Sequence, residues 1–346
     1  MKKLEEETSD YKEDNPNEII EEERFSLLVS EEDLKKFKRL DHFLSSKIAH
    51  YSRTFLKGLF QMGKIGIENK NIKSRIPKLE LKKMPPPGTL IYIEVPPPIP
   101  IKAKAEDIPL EILYEDEHLV FVNKSAGLVT HPAPGHYTGT LVNAILHHCP
   151  NLGRIGSSQR PGIVHRLDKG TSGVMVVAKN QKTLEGLIEL FSKHDINRIY
   201  EALVIGTKLP PKGTLESNIG RHPRHRQKMA CNVQNGKEAT TYFKALNFFN
   251  TFTHMQLKLE TGRTHQIRVH LSSLLNAPII CDPLYGNPSQ HIQRLGNQFA
   301  FLKKYPHPLL HAKTLGLIHP ITKKELTFTV EAPETFNQVL DLGFSS

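Results

Sequence analysis

The sequence lacks long apolar runs and contains little cysteine. A membrane-spanning helix needs about 18 or more consecutive apolar residues, and no uninterrupted apolar stretch approaches that length. The N-terminus is charged and has no apolar core of the kind found in secretory signals. The three cysteines, Cys149, Cys231 and Cys281, lie far apart and form no Cys-x-x-Cys pair. These absences argue against a structural zinc site or a disulfide framework and predict a cytoplasmic protein without a membrane span.

The charge of the chain is basic and unevenly distributed. The 346 residues carry a net charge of +10. Residues 1–24 hold ten acidic and four basic side chains, a net of −6, which leaves +16 for the remainder. A surplus of this size suits a polyanionic partner such as nucleic acid, although simple solubility would also account for it.

The length and the changes in composition predict two folded domains and a tail. Residues 1–35 form an acidic segment for which disorder is expected, with an RNA-mimicking tail as the alternative. Residues 36–95 form a small module, in which Ser52 caps a helix that ends at Gly63. The proline-rich residues 96–109 form a stiff linker.

The predicted catalytic domain covers residues 110–335, and residues 336–346 are expected to be a C-terminal tail. Helices are predicted from Thr140 and over residues 182–191. Strands are predicted over 119–122, 199–204, 240–245, 252–259 and 325–330, and several of them alternate apolar and polar residues. Because strands and helices follow no strict βαβ rhythm, the pattern indicates an α+β fold with a mixed, largely antiparallel sheet.

Residues 164–173 form the most informative segment of the chain. They place Asp168 between two cations, Arg166 and Lys169, just before the apolar run of residues 174–178. Neighbouring cations favour the ionised form of an acid, and an oriented carboxylate can act as a nucleophile or a base. Taken alone, this spacing would more often be a structural ion pair that braces a turn.

The segment does not stand alone. Residues 165–168, followed by Thr171-Ser172-Gly173, resemble the catalytic loop of the RluA family of RNA pseudouridine synthases. Residues 198–204 resemble the tyrosine-bearing strand of that family, and residues 261–270 resemble its late basic block. Lesser similarities follow the same order, and together they cover residues 110–335. They lie at residues 122–127, 131–135 and 281–286.

The resemblance implies an isomerase that converts uridine in RNA to pseudouridine. It assigns the catalytic carboxylate to Asp168, stacking on uracil and proton transfer to Tyr200, and pairing with the carboxylate to Arg268. The reaction is redox-neutral and releases no group, so no cofactor is expected. Residues 131–135 and 221–223, together with a front module that resembles the alpha-L type RNA-binding domain, are most similar to the RluD type. That likeness implies large-subunit ribosomal RNA as the substrate. A transfer-RNA synthase and a non-catalytic RNA-binding or ribosome-assembly factor remain alternatives.

Several cations are expected to contact the RNA. Arg166 resembles the side chain that fills the space left by a flipped base. The densest basic loop predicts a phosphate clamp, and the exposed side of the module's helix adds two further cations. These residues are Arg221, Arg224, Arg226 and Lys228 in the loop, and Arg53 and Lys57 on the helix. No metal site is predicted, because arginines surround the histidine pair His222 and His225. A monomer is expected.

Overall fold

The computed structural model describes residues 23–48, 51, 53–67, 79–95, 103–133, 136–156 and 160–345. The chain divides between Ile99 and Pro100 into two compact units. No helix in these ranges has the length and apolar character needed to cross a membrane. Several predictions fall outside the described residues, namely the acidic segment 1–22, the Ser52 cap and the prolines at 96–100.

The N-terminal unit combines a three-stranded antiparallel sheet with three helices. The sheet order is β1-β3-β2. Helices α2 and α3 bury their apolar faces in one core with the strands, which includes Phe43, Leu56 and Ile93. The elements are β1 Glu23–Leu28, α1 Glu31–Lys36, α2 Leu40–Lys47, α3 Arg53–Gln61, β2 Ile65–Ile67 and β3 Leu90–Val95.

The prediction of a disordered tail through residue 35 is wrong for residues 23–35. Strand β1 pairs with β3 along its whole length, and Ser30 begins α1 with a capping box to Asp33. The buried side chains of β3 need a neighbouring strand to cover them and to satisfy its backbone hydrogen bonds. The many acidic residues among the first 24 indicated disorder, and the short apolar stretch that forms β1 was therefore overlooked.

The C-terminal unit is built on a ten-stranded sheet. Its order is β4-β5-β6-β12-β7-β11-β10-β8-β9, and β13 pairs with β12. All of these pairs are antiparallel except β6–β12, which confirms the predicted α+β class with a largely antiparallel sheet. The strands are β4 Glu111–Glu115, β5 Leu119–Lys124, β6 Ser172–Ala178, β7 Ile196–Ile205, β8 Lys212–Arg221, β9 Met229–Cys231, β10 Lys237–Phe248, β11 Phe252–Leu259, β12 Leu310–Ile318 and β13 Glu325–Thr329.

Five α-helices accompany this sheet. Thr140 caps the first of them through a capping box with Asn143, and Asn180 caps the second, which confirms both predicted helices. The helices are α4 Leu141–His148, α5 Gln181–Ser192, α6 Gln266–Leu274, α7 Pro288–Leu295 and α8 Glu334–Phe344, with short 3-10 helices at Pro150–Arg154 and Asn297–Lys304.

Strand β6 fixes the loop that precedes it. Every residue of β6 is buried, and its first two residues pair in parallel with His311 and Ala312 of β12. Gly173 has a φ of +120°, and a Cβ there would lie 2.1 Å from the carbonyl oxygen of Ala312. Only glycine allows this approach without strain, so the loop that carries Asp168 leads into a closely packed strand pair.

The prediction of a C-terminal tail over residues 336–346 is also wrong. Residues 334–344 form α8, and Phe336 and Val339 are buried in the main core of the C-terminal unit. A segment this short shows too little of a helical pattern for the sequence alone to indicate that Phe336 and Val339 are buried.

We expect Phe336→Ala to lower the free energy of unfolding by about 3–5 kcal/mol, because it leaves a cavity at a side chain that is 1% exposed. Phe344→Ala, on the same helix, is the matched control, since Phe344 is 64% exposed. Urea denaturation measures both. Equal losses for the two variants would contradict the burial of α8.

Candidate active site

An ion pair between Arg268 and Asp282 anchors the site. Arg268 lies on α6 and is buried, and its Nε and Nη2 atoms donate to the two carboxylate oxygens of Asp282 at 2.7 and 2.9 Å. Asp282 is 0% exposed and also accepts the backbone N–H groups of Leu284 and Tyr285. Burial alone would raise the pKa of Asp282, but the hydrogen bonds and charge of Arg268 outweigh it and lower that pKa. The guanidinium plane is therefore fixed.

The remaining terminal nitrogen of Arg268 points at Asp168. Its Nη1 donates to Asp168 Oδ2 at 2.9 Å, across 100 positions of sequence. The side chain of Asp168 is 16% exposed, and no described residue donates a hydrogen bond to its Oδ1. The structure thus brings together Asp168 and Arg268, two of the three residues predicted to be catalytic, and leaves one carboxylate oxygen open.

The backbone around Asp168 is held on both sides. The hydroxyl of Thr130 donates to the carbonyl of Leu167 at 2.8 Å. The N–H of Gly127 donates to the carbonyl of Lys169 at 2.7 Å, and that of Thr171 to the carbonyl of Asp168 at 3.0 Å. These bonds fix the position of the carboxylate without using its oxygens.

Tyr200 lies on β7 and is buried. Burial raises the pKa of its phenol to about 12; Arg198 opposes this rise and the Asp168 carboxylate adds to it. The influence of Asp168 places the ring within the electrostatic reach of the carboxylate. At neutral pH the phenol therefore keeps its hydrogen.

His165 ties the Asp168 loop to the sheet. Its Nε2 accepts the backbone N–H of Val176 at 3.1 Å, and its ring stacks on Phe191 at 4.7 Å. Burial lowers the pKa of this imidazole to about 3. The ring is therefore neutral and structural, whereas Arg166 and Lys169 beside it are exposed.

Two residues that the sequence analysis left without a role complete the site. His265 Nε2 lies 3.7 Å from Asp168 Oδ2, and its Nδ1 is 2.8 Å from the hydroxyl of Tyr285. The Tyr285 ring lies under the Arg268 guanidinium, 5.2 Å from its centre. Both belong to segments quoted for their resemblance, as does Asp282. A lone aspartate after the apolar residues 277–281 was the signal that a buried partner existed.

Lys124 is a buried cation next to the loop. It is 1% exposed, and its Nζ donates to the carbonyls of Ser125 and Leu128 at 3.0 and 2.8 Å. Burial lowers the pKa of its ammonium to about 7, although Asp168 acts in the opposite direction. The sequence analysis quoted Lys124 only as part of a motif.

The predicted phosphate clamp is the hairpin of residues 222–228, between β8 and β9. Arg221 donates to the carbonyl of Arg226 at 2.8 Å, and His222 Nδ1 accepts backbone N–H groups of the same loop. The loop's histidine thus holds backbone. In the predicted clamp, Arg221, Arg224 and Arg226 are exposed, and Lys228 is half-buried.

The helix cations of the N-terminal unit differ in their partners. Arg53 donates to Asp41 at 2.7 Å, and Asp41 also binds Arg39 through two hydrogen bonds. These partners lower the pKa of Asp41 despite the effect of burial. The charge of Arg53 is therefore partly offset by Asp41, although the side chains of Arg53 and Lys57 are both exposed.

One group of three metal-ligand types occurs among the described residues, at Glu115, His148 and Cys149. The Glu115 carboxylate already receives Lys179 at 2.6 Å and His148 at 2.7 Å. The Lys179 ammonium already balances the charge of the Glu115 carboxylate, so this group of residues does not need a metal ion.

Comparisons with known proteins agree with this geometry. Residues 118–273 match the family described as RNA pseudouridylate synthase. Ribosomal large subunit pseudouridine synthase D of Zymomonas mobilis is 41% identical over 86% of this chain and 90% of its own. The protein of that name from Pseudomonas aeruginosa is 39% identical over 88% and 92%. The structure of human RNA pseudouridylate synthase domain containing 1 matches with a TM-score of 0.51 at 21% identity, covering 70% of this chain and 97% of that one, a likeness of fold alone.

We expect Asp282→Asn to lower the free energy of unfolding by about 3 kcal/mol or more, since it leaves the buried Arg268 charge without its bidentate partner. Asp168→Asn removes one partly exposed contact and should cost less than about 1 kcal/mol. Chemical denaturation of both variants is the measurement. A larger loss for Asp168→Asn would contradict the anchoring role of Asp282.

Lys124 predicts a pH dependence of stability. Its pKa falls from 10.5 to about 7 on folding, so between these values the unfolded chain binds more protons and stability rises with pH. From pH 7 to pH 9 the wild type should gain about 2 kcal/mol relative to Lys124→Met, in which the group cannot titrate. Unfolding free energies at both pH values give the comparison. A constant difference between the two proteins would show that Lys124 is charged throughout.

Proposed function

The chain belongs to the RNA pseudouridylate synthase family, and on that premise we propose that it modifies uridines of large-subunit ribosomal RNA with Asp168 as its catalytic carboxylate. The enzyme class, an RNA pseudouridine synthase, follows from the family. The substrate is proposed because two relatives, which this chain matches over 90% and 92% of their length, carry the name ribosomal large subunit pseudouridine synthase D.

The reaction sets three requirements. The bond between N1 of uracil and C1′ of the ribose breaks, the base turns, and C5 bonds to C1′; C5 then loses its proton to an acceptor, and N1 takes up a proton. Atoms and electrons balance without an oxidant or a leaving group. The site therefore needs a charged group beside the base and sugar, a surface that holds the detached uracil, and a proton acceptor.

The asymmetric hydrogen bonding of Asp168 is the observation that carries the proposal. Arg268 holds Oδ2 at 2.9 Å, and the loop backbone holds the peptide on either side. The Oδ1 atom receives no hydrogen bond from a described residue, and in this proposal it acts on the uridine, where it can attack carbon or stabilise positive charge as the glycosidic bond breaks. Arg268 acts through Asp168, as a positioning residue.

Tyr200 provides the surface for the base. Its ring is buried, its phenol feels the charge of the Asp168 carboxylate, and in this proposal the ring stacks on the uracil face. Tyr200 is not itself the general base, because its phenol keeps its hydrogen. Its ring holds the uracil, and its hydroxyl can relay the C5 proton only by giving up its own hydrogen as it takes the new one.

RNA engagement uses the exposed cations. Flipping a uridine out of its stack costs a few kcal/mol, and Arg166, exposed two residues before Asp168, fills the vacated space. The basic hairpin at residues 222–228 binds phosphates, and Lys57 and the half-neutralised Arg53 add charge from the N-terminal unit. The proposal includes a monomer that acts in the cytoplasm.

The test compares wild type with Asp168→Asn on a large-subunit RNA transcript, with Asp107→Asn as the control because Asp107 is an exposed acid in another part of the chain. We expect the variant to lose about a thousandfold or more in rate, to bind RNA as before, and the control to match wild type. Pseudouridine is quantified by mass spectrometry of the digested RNA.

Each other outcome has one meaning. Equal product from wild type and Asp168→Asn would exclude Asp168 as the essential carboxylate. Product on transfer RNA alone would replace the proposed substrate. No product from wild type on the transcript, the assembled particle or transfer RNA, with binding intact, would favour a non-catalytic assembly factor.

A further inference from the structure

The hydroxyl of Tyr285 connects the basic hairpin to the catalytic loop. It accepts the backbone N–H of Met229, the first residue after the hairpin, at 2.7 Å. It also lies 2.8 Å from Nδ1 of His265. The ring itself contacts Arg268 on one side and lies 6.0 Å from the Lys228 ammonium. One side chain thus touches the hairpin and two residues that face Asp168.

The hydrogen-bond directions at Tyr285 can be assigned. Burial raises the pKa of the phenol to about 12, so it keeps its hydrogen. Its oxygen already accepts from Met229, and among the described residues His265 Nδ1 is the one other group hydrogen-bonded to this hydroxyl, so we assign the hydrogen to that bond. Burial lowers the pKa of His265, which favours the neutral ring. A neutral imidazole that accepts at Nδ1 carries its hydrogen on Nε2.

That hydrogen faces the catalytic carboxylate. His265 Nε2 lies 3.7 Å from Asp168 Oδ2, the same oxygen that Arg268 holds. The donors therefore run in one direction, from Met229 through Tyr285 and His265 to Asp168, and donors in series polarise one another. A separation of 3.7 Å is longer than a hydrogen bond, and such contacts often tighten when substrate binds.

The backbone at His265 is consistent with this role. His265 has φ 57° and ψ 18°, in the left-handed region, where a side chain other than glycine costs about 1–2 kcal/mol. Such strain persists only where the surrounding structure holds it in place. The bond to Tyr285 is one of the contacts that hold this ring.

We infer that Tyr285 is a positioning residue that fixes the Nε2–H form of His265, directs that group at Asp168, and couples its placement to the basic hairpin. The inference rests on the proposed function, since it presumes that Asp168 reacts and that the hairpin holds RNA.

The test is Tyr285→Phe, which removes the hydroxyl and keeps the ring against Arg268. The matched control is Tyr242→Phe, because the exposed Tyr242 also loses a hydroxyl that hydrogen-bonds a side chain, Glu260. We expect the single-turnover rate of Tyr285→Phe on saturating large-subunit transcript to fall about tenfold, with the RNA dissociation constant within about twofold of wild type. Tyr242→Phe should change neither.

A second readout reports the hydrogen itself. In 15N NMR spectra, with the His265 signals assigned through His265→Gln, wild type should show a hydrogen on Nε2 and none on Nδ1. Tyr285→Phe should show a mixture of the two forms. A wild-type rate for Tyr285→Phe, a loss in RNA affinity as large as the loss in rate, or an unchanged His265 spectrum would each overturn the inference.

Asp168→Asn, measured in parallel, separates the two claims. If Asp168→Asn is inactive while Tyr285→Phe equals wild type, only the positioning role fails. If Asp168→Asn retains full activity, the proposed function itself fails.

Discussion

The buried charge of Arg268 is the constraint on which the site depends. A buried guanidinium is tolerated only when its donors are paired, and removing a partner leaves an expensive uncompensated charge. Asp282 meets that demand from the segment that follows α6, and Asp168 meets the remainder from the loop before β6. The stability of the fold and the placement of Asp168 are thus linked through one side chain, because Arg268 binds both the buried Asp282 and the loop that carries Asp168.

The sheet makes this meeting possible by fixing α6 and the loop independently. Val269, next to Arg268 on α6, packs with Ile219 of β8 and Ala239 of β10. Successive helical residues point about 100° apart, so anchoring Val269 on these strands turns Arg268 toward the loop. At the other end, the parallel pairing of β6 with β12 fixes where the loop enters the sheet.

Local patterns predicted much of this fold, and the failures share one cause. The N-terminal caps of α4 and α5 and the alternation along the strands depend only on residues that are close together in the sequence. On α6, Ile267, Leu271 and Leu274 follow one another at helical spacing, yet Leu274 is exposed and the charged Arg268 is buried. Asp168, the partner of Arg268, lies 100 positions away in the sequence, and helical periodicity carries no information at that distance. Only the family resemblance paired Arg268 with Asp168. Strand β1 and helix α8 were missed similarly, since distant elements make them necessary.

The two aspartates on Arg268 differ in how many of their carboxylate oxygens are paired. Asp282 engages the guanidinium with both oxygens and receives two backbone N–H groups besides, so it has no capacity left for a substrate. Asp168 receives Arg268 on Oδ2, and His265 faces the same oxygen. An ion pair that only stabilised a turn would gain by satisfying both oxygens, as Asp282 does. Leaving Oδ1 open sacrifices that stability, and such a sacrifice is expected where a carboxylate must react.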